Sequence, residues 1–168
     1  NGRDKSAFEI IVKRYEQHVF RLCFRITNGR EESEDIAQEI FIELWEQADG
    51  WQPSARFSTW LYRVTTNRCL NKLRFLKIKS ILTFSPAFGM EMYSDSTKKS
   101  PESMVIAAEK SASFYAAFQK LPGRQKAALH LRYWEDLSVR EVADVLEITV
   151  KSAESLIYRG KKALGMML

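Results

Sequence analysis

Residues 137–164 read LSVREVADVLEITVKSAESLIYRGKKAL, and they decide the fold class. Ser138 stands where a helix N-cap is expected, and Glu141 three residues later completes a capping box. Val142, Ala143 and Leu146 then supply the buried face of a short helix, with Ala143 small enough for a close helix crossing. After a turn around Glu147 to Thr149, Ala153, Leu156, Ile157 and Leu164 form the apolar stripe of a second helix. This is the helix-turn-helix plan, in which the second helix enters a major groove. Lys151, Ser152, Ser155, Arg159 and Lys162 lie off the stripe, where they could meet base edges and phosphates. The plainer alternative is a helical hairpin with a solvated basic face, so the rest of the chain has to decide.

Upstream, residues 56–74 read RFSTWLYRVTTNRCLNKLR, and no acid occurs from Arg56 to Lys79. Trp60, Arg63, Asn67, Asn71 and Arg74 recur at spacings of three or four and share one side of a helix running from about Phe57 to Lys77. Amides can hydrogen-bond base edges, guanidinium groups can neutralise phosphate, and an aromatic ring can stack on an exposed base. Arg68, Lys72, Lys77 and Lys79 add positive charge, which favours a nucleic-acid surface. Alternatively, Trp60 belongs to the core with Leu61 and Val64, and the remaining positions are solvated.

The preceding segment, Glu31 to Asp49, contains no basic residue. Ile36, Ile40, Phe41, Leu44 and Trp45 form one side of a helix ending near Ala48, and Asp35, Gln38, Glu39, Glu43 and Glu46 lie elsewhere around it. Ser33 is the expected N-cap, with Glu34 and Asp35 suited to the positive helix end. An acidic face repels nucleic acid and suits a basic protein surface. A first helix carries Phe8, Ile11, Val12, Tyr15, Val19, Leu22 and Ile26 and stops at Asn28-Gly29. Asp49-Gly50 and Pro53 mark a loop, with Ser54 or Ser58 expected to cap the third helix.

From about Thr83 to Pro101 periodicity fails, and SPAFGMEMYSDSTKKSP has linker composition. Helices are expected again over 107–118 and from Pro122, at a first helical turn, to about Tyr133. The chain of 168 residues thus divides into units at 1–80 and 107–168 with a linker at 81–106. No strand pattern or internal repeat is evident, so the expected fold is all-α: two small helical domains, a flexible linker and a C-terminal helix-turn-helix.

Composition agrees with a globular chain, at 45% hydrophobic and 28% charged residues. The net charge of +5 permits a polyanionic partner. Cys23 and Cys69 lack partners at metal-ligand spacing and read as small reduced core or surface residues; His18 and His130 read as isolated. Neither a metal nor another cofactor is expected. No apolar run approaches the roughly 18 to 20 residues of a membrane helix, and no secretory leader opens the chain, so a cytoplasmic location is expected. Because the first residue is Asn1, a short preceding piece is expected to be missing.

Taken in order, DIAQEIFIELW, FSTWLYRV, NRCLNKLR, the linker, Leu121-Pro122 and LSVREVADVL resemble the extracytoplasmic-function sigma factors of bacterial RNA polymerase over nearly the whole chain. The resemblance implies a promoter-melting region 2 and a helix-turn-helix region 4, no catalysis, and binding to core polymerase at the beta-prime clamp helices and the beta flap. It also implies promoter DNA as a partner, and control by a cognate anti-sigma factor, in some cases membrane-bound. Carried over by position, Asp35, Gln38, Glu39, Phe41, Glu43 and Trp45 dock on polymerase. The loop from Asp49 to Arg56 captures a flipped base, and Arg56, Trp60, Arg63, Asn67, Asn71 and Arg74 meet the −10 element. Lys151, Ser152, Glu154, Ser155, Tyr158, Arg159 and Lys162 lie near the −35 element.

Many relatives have a glycine in the turn and GTVKSRL on the reading helix; here Glu147 and KSAESLI stand instead, with Leu156 for Arg and Glu154 for Lys. Gly160, where alanine is usual, is expected to weaken its helix by about 1 kcal/mol or less. A stand-alone helix-turn-helix regulator would leave the first eighty or so residues idle. A nuclease with Asp35, Glu39 and Glu43 as metal ligands lacks a His or Lys to complete a reacting site. An anti-sigma factor is expected to cover the surfaces that polymerase uses, because a flexible linker permits an occluded as well as an open arrangement.

Overall fold

The computed structural model describes residues 4–48, 56–83 and 112–167, with side chains placed except at 80–83, 166 and 167. Seven helices account for these segments: α1 (Lys5–Thr27), α2 (Arg30–Gln47), α3 (Phe57–Thr83), α4 (112–119), α5 (Gly123–Tyr133), α6 (Val139–Leu146) and α7 (Val150–Met167). The expected loop at 49–55, residues 84–106 of the expected linker and the start of the expected helix at 107–111 lie outside the described residues.

Asp4 opens α1 by accepting hydrogen bonds from the backbone N–H groups of Ser6 and Ala7, which would otherwise be orphan donors of the first turn. Asn28 closes it in the left-handed conformation, φ 61°, with its N–H donated to the Phe24 carbonyl. Asparagine tolerates that region better than most residues. The turn into α2 is tighter than expected: Gly29 is the N-cap and α2 starts at Arg30, which places Ser33 inside the first turn. Ser33 is fully buried, and its hydroxyl lies 3.1 Å from that of Thr27 and donates to the Gly29 carbonyl. The polar residue read as a cap therefore ties two helices together at their corner. Ser58 likewise sits inside α3 rather than capping it, and Ser54 is outside the described residues.

Helices α1, α2 and α3 pack on one another around Val19, Leu22, Cys23, Ile26, Ile36, Ile40, Leu44 and Leu61. Cys23 and Cys69 are both buried free thiols in this core. The hydrogen bond that the Cys23 thiol donates to Cys69, then burial, push that thiol well above the ordinary range, so it is inert. Helix α3 continues to Thr83, six residues past its expected end, and so absorbs the start of the expected linker.

Helices α5, α6 and α7 pack together around Leu129, Leu131, Val142, Val145, Ala153 and Ile157, with Phe118 of α4 in the same core. Pro122 proves to be the N-cap of α5 rather than its first helical residue. Ser138 forms the full capping box with Glu141. Gly160 is buried, and a Cβ there would stand 2.9 Å from Leu129 Cδ1. The glycine read as a weak point in α7 thus sits at a close approach of α7 to α5.

The two helical sets also pack on each other. Helix α1 touches α5, and α3 touches both α5 and α6, so one cluster of buried residues runs through both. A Cβ on Gly123, at the start of α5, would meet Leu70 and Leu73 of α3 at 3.0 Å.

Candidate nucleic-acid interface

Beyond the shared apolar core, Arg68 ties helix α3 to its acidic neighbour. Arg68 donates to Glu39 at 2.8 Å and to Glu43, both on α2. The acidic and basic helices are therefore locked side by side, and two of the six expected docking residues are engaged within the molecule. Asp35 and Gln38 remain exposed, while Phe41 and Trp45 are half-buried. Trp45 packs edge-on against Phe8 of α1. Among the described residues no group of three His, Cys, Asp or Glu side chains is arranged to hold a metal ion; Glu39 and Glu43 face a guanidinium instead.

The side of α3 expected to meet DNA divides into two halves. Asn71 and Arg74 are exposed, 3.5 Å apart between the Asn71 Oδ1 and an Arg74 guanidinium nitrogen. Trp60 is half-buried beside Phe57, with ring centroids 6.0 Å apart, so it is shared between the core and the surface. Arg56, Arg63 and Asn67 instead reach α6. Arg56 donates to Glu141 at 3.4 Å, Arg63 donates to the Asp144 carbonyl at 3.0 Å and lies 3.7 Å from the Glu147 carboxylate, and Asn67 donates to Glu147 at 3.4 Å.

On α7 the outward residues are open. Lys151, Ser152, Glu154, Tyr158, Arg159 and Lys162 are exposed and Ser155 is half-buried, whereas Ala153, Ile157 and Leu164 are buried as their spacing requires. Thr149 caps the helix: its hydroxyl accepts from the Ser152 N–H at 3.2 Å. A helix presented this way can lie in a major groove with its N-terminal residues against base edges.

Behind these surfaces, one carboxylate gathers groups that the sequence shows as scattered. Glu135 accepts from Tyr62 of α3 at 2.6 Å, from His18 of α1 at 2.7 Å and from His130 of α5 at 3.0 Å. Its side chain is only 4% exposed. Burial alone would raise its pKa, but the hydrogen bonds from His130, Tyr62 and His18 outweigh it and hold the carboxyl at about 2. Burial pushes His130 down, so its ring stays neutral, with Nε2–H donated to Glu135 and Nδ1 accepting from Arg25 at 3.3 Å. Arg25 also stacks 4.4 Å from the centroid of the Trp134 ring. The two histidines that read as isolated thus meet at the seam between the helical sets, brought there by contacts 105 and 117 residues apart in sequence.

Comparison with known proteins fits this geometry. The Sigma-70 region 2 family matches residues 11–77, and the Sigma-70 region 4 family matches residues 111–164. The ECF RNA polymerase sigma factor SigW of Bacillus subtilis is 34% identical, over 98% of this chain and 90% of its own length. The chain belongs to the extracytoplasmic-function sigma factors of the sigma-70 family. This sigma factor is also 29% identical to the RNA polymerase sigma-H factor of Pseudomonas aeruginosa, over 98% of the chain and 88% of that protein. Among solved structures, its fold resembles the sigma factor RpoE crystallised with the anti-sigma factor NepR from Bartonella quintana. That match has a TM-score of 0.76 and 14% identity and covers 96% of each chain. Among the described residues no helix is long and apolar enough to cross a membrane.

Proposed function

We propose that this sigma factor binds core RNA polymerase through the exposed acidic side of α2, reads the −10 element with α3 and the loop at 49–56, and reads the −35 element with α7. It carries out no chemistry of its own and acts in the cytoplasm. The observation that carries the reading is the pairing of two unlike surfaces on adjacent helices. An acidic face suited to a basic protein groove is fixed by Arg68 against a helix with no acid from Arg56 to Lys79. An exposed basic recognition helix stands at the other end of the chain. Phosphate contacts from the cationic residues position the factor, and the Asn67 and Asn71 amides offer base-edge hydrogen bonds.

An anti-sigma factor is the expected regulator. In support, the Bartonella quintana sigma factor of similar fold was crystallised with one. Its binding is expected to exclude polymerase, so a ternary complex of sigma factor, inhibitor and core enzyme would contradict that part.

The test is transcription by core polymerase from libraries of melted and fully duplex promoters, with and without the protein and its Asn67→Ala variant. Initiation that depends on the protein at a shared motif, relaxed at one −10 position in the variant, is the expected result. One lost bidentate base contact corresponds to roughly 1–3 kcal/mol of discrimination. Absence of initiation despite stable duplex binding would overturn the reading.

A further inference from the structure

We propose that Glu154 sets the base preference of α7 by accepting a hydrogen bond from the exocyclic amine of a cytosine in the −35 element. The proposal rests on the sigma-factor reading above, with α7 as the −35 reader. From Ile148 to Leu168 the chain carries Lys151, Arg159, Lys161 and Lys162 and a single acid, Glu154. A lone carboxylate in such a surface opposes the phosphate contacts that its neighbours favour, so its presence there needs a compensating contact.

Nothing inside the molecule supplies one. Glu154 is exposed, and among the described residues it makes no hydrogen bond or ion pair. Val150 and Tyr158 occupy the positions four away on either side, so the helix offers no cation at the best spacing. Lys151, three residues earlier, stands on the N-terminal side of the acid, the poorer order for a helical pair. Thr149 already caps the helix, and Glu154 lies in the second turn of α7, past the reach of the helix dipole.

A base edge does suit its position. Ala153 and Ile157 are buried, which fixes the roll of α7 and leaves Lys151, Glu154 and Tyr158 in a row on one exposed side. That row begins in the first turn, the part of a recognition helix that reaches base edges. An ionised carboxylate only accepts hydrogen bonds. In the major groove guanine presents two acceptors, thymine an acceptor and a methyl group, and adenine an amine beside the N7 acceptor. Cytosine presents its amine with no acceptor next to it on the same base, so it meets the requirement of Glu154 best. Lys151 and Lys162, both exposed, are left to hold phosphate.

The test uses holoenzyme assembled from core polymerase and the full chain, on duplex promoters randomised across the −35 region upstream of a fixed −10 motif. The sequences bound by the parent, Glu154→Ala, Glu154→Gln and Glu154→Lys are compared. The parent is expected to favour cytosine at one −35 position by roughly five- to hundred-fold, the range of one good base contact. Glu154→Ala should lose that preference at that position alone. Glu154→Gln should move it to adenine and Glu154→Lys to guanine, the bases that an amide and an ammonium group read. Glu154→Ala should also melt as the parent does; a loss of stability would reveal a partner within the protein and overturn the proposal. A parent with no cytosine preference, or a Glu154→Ala variant that binds every sequence more tightly with an unchanged profile, overturns it too, while initiation by the parent keeps the sigma-factor reading. Absence of initiation by the parent at every promoter overturns both.

Discussion

Helix α7 turns its polar residues into solvent, whereas α3 has three of its six expected readers engaged by α6. Both helices carry basic residues on their outer side, and both are proposed above to meet DNA. The difference lies in what stands opposite. Among the described residues the outward side chains of α7 stay exposed, while α3 faces an acidic edge from the other half of the chain. Of the two helices proposed to read DNA, one is presented open and the other has half of its polar side already in use. On the function proposed above, α7 is open to duplex DNA in the free factor, while part of the α3 face is engaged within the molecule.

The largest way to break this comparison is to remove Glu135, which sits behind the covered helix and holds His18, Tyr62 and His130. Glu135→Ala leaves buried Tyr62 and His130 donors without an acceptor, and about 3 kcal/mol of stability should be lost in urea unfolding. If the seam closes α3, binding of single-stranded DNA should rise in the same variant under conditions where it remains folded.

Acid should act on the same cluster more gradually. His130 is held below its ordinary value by burial, despite the Glu135 carboxylate and with Arg25 and His18 also facing the cluster. The unfolded chain therefore takes up a proton near pH 6.5 that the folded chain refuses, and stability falls as pH drops below that point. The Glu135 carboxyl, held at about 2 although burial opposes it, adds a second loss as pH falls from the ordinary carboxylate range towards 2. The Glu135 contribution is fully present above the ordinary carboxylate range, and the His130 contribution above about pH 6.5. Thermal melts from pH 7.5 to 4 should show a decline beginning near 6.5, and a flat profile would remove the cluster from the account of the seam.

A smaller effect sharpens the open side of the comparison. Gly160→Ala improves helix propensity by up to about 1 kcal/mol but forces a methyl against buried Leu129. Overpacking costs typically 1–3 kcal/mol, so a net loss of about 1 kcal/mol is expected in denaturant titration, without any change in single-stranded DNA binding. A stabilised protein would mean that α5 and α7 separate easily.

Local features were the legible part of the sequence. The Ser138–Glu141 box, the buried Ala153, Ile157 and Leu164, and the shared side of Asn67, Asn71 and Arg74 follow from spacing alone, because a helix fixes which neighbours share a face. What was not legible depends on contacts far apart in the chain. His18 read as isolated because nothing local joins it to Glu135 or places Tyr62 beside that carboxylate, and His130, five residues from Glu135, is paired with it only by the turn that ends α5. Glu147 read only as a departure from glycine, and Gly160 only as a weak spot, because their partners Arg63 and Leu129 lie on other helices. Ser33 illustrates the reverse error: a residue type good at caps was instead buried against Thr27, one turn inside its helix. Acidic residues three apart on α6 facing basic ones on α3 was the one signal in the sequence that could have disclosed the seam.

The most direct measurement of the two-reader account is site-specific photocrosslinking in holoenzyme on one promoter, with the crosslinker placed in turn at Asn71 on α3 and at Arg159 on α7. The account predicts that Asn71 marks the melted −10 strand and Arg159 the duplex −35 element upstream. Crosslinks from both positions to the same DNA segment, or from Asn71 to duplex alone, would contradict it.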